Sequence, residues 1–313
     1  MAEIPYLSEA DLVSLGITTQ DVIGAIEEVI RGGDAGRVWA APKAVIIPPD
    51  DGRYMMAALA AMDEPSLLAV KTVVLNPNNP DRGLPQINGL VTVLDSQTGL
   101  PVAIVDGNWI TAVRTAGLSA VAASYLANSD ATSVGFVGCG VQARSHLQAF
   151  SDLFPLQRIQ YFGRGQANQD LLAQAAQALG LDSRVCASGQ EAIEGVDLVV
   201  TSITATGGPE PFLDADGMQA GAFAAITDLG VPWIRESFNQ LDRVVIDDVE
   251  QEAALPNKLC DPAAVSGDLS GLVLGSTAAR DGSDERTAFL FRGHALGDLA
   301  LTSLALRKHG AQA

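Results

Sequence analysis

The feature that most constrains this chain is a glycine turn set between an apolar run and a helix. Val134-Gly135-Phe136-Val137 has the composition of a short buried strand, and Gly138-Cys139-Gly140-Val141-Gln142-Ala143 follows it directly. A Gly-x-Gly-x-x-Ala spacing at a strand-to-helix junction is the dinucleotide-binding fingerprint. The first glycine makes the tight turn, and the second has no Cβ to hold a pyrophosphate off the backbone. The small Ala143 lets the new helix lie close to the strand. The helix start then offers free N–H groups and a partial positive charge to phosphate. Val141 and Gln142, in that first turn, join Gly138, Gly140 and Ala143 as candidate coenzyme-binding residues.

Such a turn belongs to an alternating strand and helix pattern, and the chain supplies one after about residue 116. Strands are expected at Ile159 to Phe162, Arg184 to Ala187, Leu198 to Thr201, Ala222 to Thr227 and Arg243 to Asp247, with helices from Val141 and over Asp170 to Leu179. The alternation predicts a parallel sheet covered on both faces. The first third reads differently. A helix from Thr19 with Val22, Ile23, Ile26, Val29 and Ile30 on one face precedes strands at Ala41 to Ile47, from Arg53 and over Leu67 to Leu75. A hairpin follows, Gly89 to Leu94 with Val102 to Val105. A long helix from about Asn108 to Asn128 separates the two patterns, and the tail ends as another helix. The expected class is α/β: a Rossmann-like, doubly wound parallel-sheet domain at 117–287 and a smaller α+β domain at 1–116.

The 313 residues, 48% hydrophobic and 18% charged, carry a net charge of −18. That balance argues against a nucleic-acid or anionic membrane surface as partner, so an anionic ligand must be met by local Arg, Lys or helix-end donors. Three cysteines at no metal-like spacing imply a reducing compartment, and with three histidines no metal site is expected. The chain opens without a basic, apolar leader and contains no charge-free run long enough for a bilayer, so a cytoplasmic location is expected.

Several short runs occur in one order over roughly residues 40 to 300: Lys71-Thr72-Val73-Val74 before Asn76-Pro77-Asn78-Asn79-Pro80-Asp81-Arg82-Gly83-Leu84-Pro85, then Asp95 to Pro101. After these come Asp106-Gly107-Asn108, Thr111-Ala112-Val113-Arg114-Thr115-Ala116, the glycine turn, Asp228, Asp247-Asp248, and Gly293 with Asp298. In these the chain resembles the ornithine cyclodeaminase and mu-crystallin family, and Val141 to His146 resembles the branch that reduces cyclic imines. The resemblance implies that 1–116 with 288–313 forms the substrate-binding and dimerisation domain of a homodimer acting on a small α-imino or α-amino acid. Arg53, Lys71 and Arg114 match the substrate-carboxylate cluster, and Lys43 matches a lysine of the alanine-dehydrogenase branch. Asp228 matches the acid/base aspartate beside the substrate nitrogen. Lys71 and Asp228 are thus the catalytic candidates, and Thr201 and Gly293 are assigned to the coenzyme. Arginine suits a carboxylate because its planar fork binds both oxygens.

Coenzyme choice turns on the end of the second strand of the parallel sheet. An Asp or Glu there would bind a ribose 2′-hydroxyl; the chain has Phe162-Gly163-Arg164-Gly165, so Arg164 is expected to pair with a 2′-phosphate, favouring NADP(H) over NAD(H). Two departures from the family pattern stand in the tail. Phe291 replaces a serine, and Arg292 and His294 are extra polar groups, His294 being a candidate proton donor near substrate. The glutamate that binds the distal amine in ornithine cyclodeaminases is not evident between Arg53 and Lys71. The expected activity is therefore an NAD(P)H-dependent reductase of cyclic ketimines or Δ1-pyrroline-2-carboxylate. Ornithine cyclodeaminase, an alanine-type dehydrogenase and a non-catalytic nucleotide binder are the alternatives.

Overall fold

In chain order the elements of the computed structural model are β1 (Tyr6–Leu7), α1 (Glu9–Ser14), α2 (Thr19–Asp34), β2 (Val38–Ile46), β3 (Tyr54–Met62), β4 (Leu67–Leu75), β5 (Ile87–Leu94), β6 (Pro101–Asp106) and α3 (Gly107–Leu126). Alternation follows: β7 (Ser133–Val137), α4 (Val141–Leu153), β8 (Arg158–Phe162), α5 (Gln166–Ala178), β9 (Asp182–Val185), α6 (Gly189–Ile193), β10 (Leu198–Thr201), β11 (Phe223–Ile226) and β12 (Arg243–Ile246). The last elements are α7 (Val249–Ala254), β13 (Val265–Asp268), α8 (Leu269–Leu274), β14 (Thr287–Leu290) and α9 (Ala295–Gln312). Residues 3–49, 51–204 and 210–312 are described. The chain forms two units: one runs to Gly117 and resumes at His294, the other covers Leu118–Gly293.

The first unit is built on a six-stranded sheet in the order β1-β6-β5-β4-β3-β2, antiparallel except for the β1–β6 pair. Its inner face is sequence-coded by period two: Ala58, Ala60 and Met62 on β3, Ala69, Lys71 and Val73 on β4, and Val91 and Val93 on β5 are all buried. Helices α2 and α9 lie on this sheet. α2 begins with a reciprocal cap between Thr18 and Asp21 and buries Val22, Ile23, Ile26, Val29 and Ile30, the face read from the sequence. Lys308 of α9 reaches Asp21 at 2.7 Å.

The second unit holds an all-parallel sheet of eight strands, β13-β12-β14-β11-β10-β7-β8-β9. β7, β10, β11 and β14 are buried along their whole length, as strands covered on both faces must be. The strand order reverses between β7, which continues through α4 to β8, and β10 on its other side; ligands bind beyond the carboxyl ends of strands at such a reversal. β14 has no predecessor in the sequence reading, where Phe289-Leu290-Phe291 only opens an apolar tail. It inserts between β11 and β12, a pairing that no local pattern announces.

Candidate functional site

The residues expected to bind coenzyme lie at that reversal. Gly138 has φ of +96°, and a Cβ on it would come 2.6 Å from the Ser202 carbonyl oxygen, so only glycine fits. Gly140 is the N-cap of α4, with no side-chain cap on the free N–H groups, and a Cβ there would meet nothing within 4 Å. The protein thus leaves open the space and the donors that a pyrophosphate requires. Residues 137–140 line a cavity of about 560 Å³ whose other walls are residues 162–165, 187–190 and 202–204, with Asn168 and Phe212. Ala143 is fully buried behind the turn; Val141 is exposed, and Gln142 is half-buried with its carbonyl accepting from the His146 ring. Since that carbonyl can only accept, Nδ1 of His146 carries the proton and Nε2 accepts from the Ser119 hydroxyl at 2.9 Å. Burial pushes this imidazole down to about 4, so it is a neutral brace for α4.

Arg164 lines the same cavity, beside the N-terminus of α5, whose N-cap is Gly165 and again carries no side-chain cap. No Asp or Glu is among the described lining residues. The walls 187–190 and 202–204 went unread in the sequence because Ser, Gln and Ala carry no motif; the carboxyl ends of β9 and β10 were the available signal.

Asp228 follows β11 and is buried. Its Oδ1 accepts from the Thr201 hydroxyl at 3.0 Å and its Oδ2 from the Ile203 N–H at 3.1 Å. Thr201 in turn accepts from the Trp233 indole at 3.2 Å, so its side chain is committed to Asp228 and is not part of the cavity wall. Burial outweighs those hydrogen bonds and raises the carboxyl to about 6. Leu229, the next residue, has φ of +61°, a strained value of the kind that gathers at functional sites.

The cationic cluster belongs to the first unit. Lys71, 1% exposed, places Nζ 2.6 Å from Oδ1 of Asp298 in the first turn of α9, and Nε of Arg114, from α3, lies 3.2 Å from the same oxygen. Arg114 Nη1 is buried with no hydrogen-bond partner among the described residues. Two buried cations around one buried carboxylate leave an excess positive charge and an unused donor, which is the electrostatic requirement for receiving an anion. Burial chiefly, then the Arg114 charge, brings the Lys71 ammonium down to about 8 against the pull of Asp298. The Lys43 charge lowers it further.

The structure does not bring Arg53 to this cluster. Arg53 pairs with Asp51 at 2.5 Å and is 43% exposed. It precedes Ala58, the residue opposite Lys71, by five positions, about 16 Å of strand. Lys43 is the nearer cation: it sits in a bulge of β2 where the register passes from Ala41 opposite Leu59 to Ala44 opposite Ala57. The resemblance marks Asp298 only as part of the family pattern; a lysine on an apolar strand and an aspartate opening an apolar helix are the sequence clue to their pairing.

The tail departures have structural partners. Phe291 is buried and stacks on Phe289 with ring centroids 5.0 Å apart. The Arg292 guanidinium binds Glu252 at 2.6 Å and the Asn257 carbonyl, holding the segment after β12. His294 Nδ1 accepts from the Leu296 N–H at the start of α9, and Gly293 has φ of +87°. Among the described residues no group of His, Cys, Asp or Glu could hold a metal ion, and no helix is long and apolar enough to cross a membrane.

Fold and site together define an α/β protein of the dinucleotide-binding class, whose first unit buries a cationic cluster around one carboxylate. The sequence pattern of the ornithine cyclodeaminase/mu-crystallin family matches residues 6–304, and the chain belongs to that family. Its members are NAD(P)-dependent oxidoreductases or cyclodeaminases acting on imino and amino acids, and this chain is an enzyme of that class. It is 29% identical over 314 residues to ketimine reductase mu-crystallin of Rattus norvegicus, covering 97% of each. It is 27% identical over 256 residues to a Δ1-pyrroline-2-carboxylate reductase of Bacillus cereus, covering 77% of each. The solved Thermococcus litoralis Δ1-pyrroline-2-carboxylate reductase, in complex with NADH and L-proline, superposes with a TM-score of 0.89 at 25% identity, covering 99% of this chain and 98% of that one.

Proposed function

We propose that this protein is an NADPH-preferring reductase of cyclic α-imino acids of the ketimine or Δ1-pyrroline-2-carboxylate kind. The observation that carries the reading is the buried Lys71–Asp298–Arg114 group with its unpartnered Arg114 Nη1. Its surplus charge suits one carboxylate, and Arg114 fixes that carboxylate's orientation. Asp228, lifted to about 6, can hold or release a proton near neutral pH and stabilises a cationic imine nitrogen. Gly138, Gly140 and the open start of α4 suit the coenzyme pyrophosphate, and Arg164 with the open start of α5 suits a 2′-phosphate. A nicotinamide coenzyme bound there supplies the hydride for the imine carbon.

The outer face of the first unit's sheet, with Trp39, Leu59, Val74 and Leu90 all exposed, supports a homodimer through that face. The three buried, unpaired cysteines suit a reducing compartment such as the cytoplasm.

The direct test follows reduced-coenzyme absorbance with Δ1-pyrroline-2-carboxylate and Δ1-piperideine-2-carboxylate, using NADPH and NADH in turn. Stoichiometric oxidation of NADPH supports the proposal. Ammonia release from L-ornithine with no net change in coenzyme would replace it with a cyclodeaminase, and tight NADPH binding with no turnover of any substrate would replace it with a nucleotide binder.

A further inference from the structure

Thr201 closes β10 with its backbone held from the neighbouring strand. Its carbonyl accepts from the Thr227 N–H at 3.0 Å and from the Thr227 hydroxyl at 2.9 Å. Its side chain is fully buried and β-branched, so few rotamers are open to it. The Trp233 indole, also fully buried, donates to Oγ1. An indole N–H can only donate, so the hydroxyl proton does not point toward Trp233. It is directed instead to Oδ1 of Asp228, 3.0 Å away.

Trp233 reaches β10 because the chain folds back after β11. The Asp228 carbonyl accepts from the Val231 N–H and the Gly230 carbonyl from the Trp233 N–H, while Leu229 and Gly230 take φ of +61° and +70°. The indole packs beside Phe238, with ring centroids 5.9 Å apart. This turn brings Asp228 and Trp233 to the same hydroxyl.

Among the described residues, the groups that meet the Asp228 carboxylate are all neutral. They are the Thr201 hydroxyl, the Ile203 N–H, and the N–H groups of Asp228 itself and Gly230. On the β14 side, Arg292 gives its guanidinium to Glu252. On the β7 side, Thr201 is level with Val137, and the uncharged Gly138 follows. The charge of a buried carboxyl in such surroundings is set by its hydrogen bonds against the cost of burial. The backbone donors are available whatever the side chains; Thr201 is the donor that this sequence supplies.

We infer that Thr201 is a positioning residue for proton exchange at Asp228: its hydroxyl, oriented by Trp233, fixes Oδ1 and favours the ionised carboxylate. The inference rests on the reading that Asp228 exchanges a proton beside the substrate nitrogen. The Thr201 hydrogen bond lowers the carboxyl against the burial that raises it, so its removal must move the titration upward. A Thr201 that served packing alone would change the melting temperature and leave the titration in place.

The test follows the Asp228 carboxyl by carbon NMR of protein isotopically labelled at aspartate, with its signal assigned by loss in Asp228→Asn. Thr201→Val is expected to raise the midpoint from about 6 by about one pH unit, as removal of one hydrogen bond to a carboxylate requires. The limb of the kcat/KM profile near 6, measured with Δ1-pyrroline-2-carboxylate, is expected to move with it. Thr201→Ser keeps the hydroxyl and is expected to hold the wild-type midpoint. If Thr201→Val does not fold, Thr201→Ala removes the same donor from a smaller side chain. An unmoved midpoint in the folded Val or Ala variant would overturn the inference and leave Asp228 as the acid/base group. A midpoint that rises while the kinetic limb is absent or stays in place would remove Asp228 from the reaction, and this inference with it.

Discussion

In the parallel-sheet unit the groups proposed to meet a ligand are backbone N–H groups at the uncapped starts of α4 and α5. In the mixed-sheet unit they are side chains, Lys71 and Arg114, drawn from a strand and a helix and buried around Asp298. The first arrangement costs little in the free protein, because helix-end donors at an open cavity remain hydrated. The second buries like charges together and is held by one carboxylate, so it is the part of the molecule whose stability and binding are tied together. Binding by backbone tolerates substitution wherever glycine geometry survives; binding by buried charge does not.

The most severe way to break that contrast is Asp298→Ala, which leaves Lys71 and Arg114 without their counter-charge. A loss of about 3–5 kcal/mol is expected in urea or thermal unfolding, together with loss of activity. Arg114→Met removes the orienting fork while leaving the Lys71–Asp298 pair intact. It is expected to lower kcat/KM by about 100-fold, the equivalent of two hydrogen bonds to a charged group, with coenzyme affinity unchanged by fluorescence titration.

The paired glycines sharpen the comparison from the other side. Gly138→Ala meets the Ser202 carbonyl oxygen and a φ of +96°, so it is expected to destabilise by about 1–3 kcal/mol. Gly140→Val enters open space and should leave the melting temperature unchanged while weakening NADPH binding about tenfold, if the space is reserved for a ligand. A Gly140→Val variant that binds NADPH as well as wild type would remove the coenzyme assignment.

A smaller effect concerns pH. The Asp228 carboxyl is raised from an ordinary value near 3.8 to about 6 in the folded protein. Between these values the native state holds more protons than the unfolded state, so the contribution of Asp228 to stability is fully present below about 3.8 and is lost as pH rises through 6. Asp228→Asn should therefore be more stable than wild type at pH 8, with the gap closing below pH 4, and should abolish any limb of the kcat/KM profile near 6. The smallest change is expected from exposed Arg164: Arg164→Ala should raise KM for NADPH about fivefold and leave NADH within twofold.

Much of the parallel-sheet unit is legible in the chain because its signals are local. Val134 to Val137 is apolar enough to be a strand, and Gly138 and Gly140 state the turn without reference to anything distant. Leu67 to Leu75 and Leu198 to Thr201 match β4 and β10 to the residue, since apolar strands bounded by polar loops leave little choice. β14 was hidden for the opposite reason. Four residues of apolar chain acquire a strand's identity only from the edges of β11 and β12 that receive them. Thr201 likewise stands at a strand end where a coenzyme contact is reasonable, yet its hydroxyl is taken by Asp228, a hydrogen bond across neighbouring strands.

By itself, then, the sequence determined the α/β class, the glycine turn and the presence of a lysine on an otherwise apolar strand, because each is written in neighbouring residues and their period. Tertiary structure alone decided which charges share a pocket. It joined Lys71 to Asp298, 227 residues away, and left Arg53 on Asp51. Electrostatic partnership depends on distances of a few ångströms across strands and helices, and only the folded chain sets those distances.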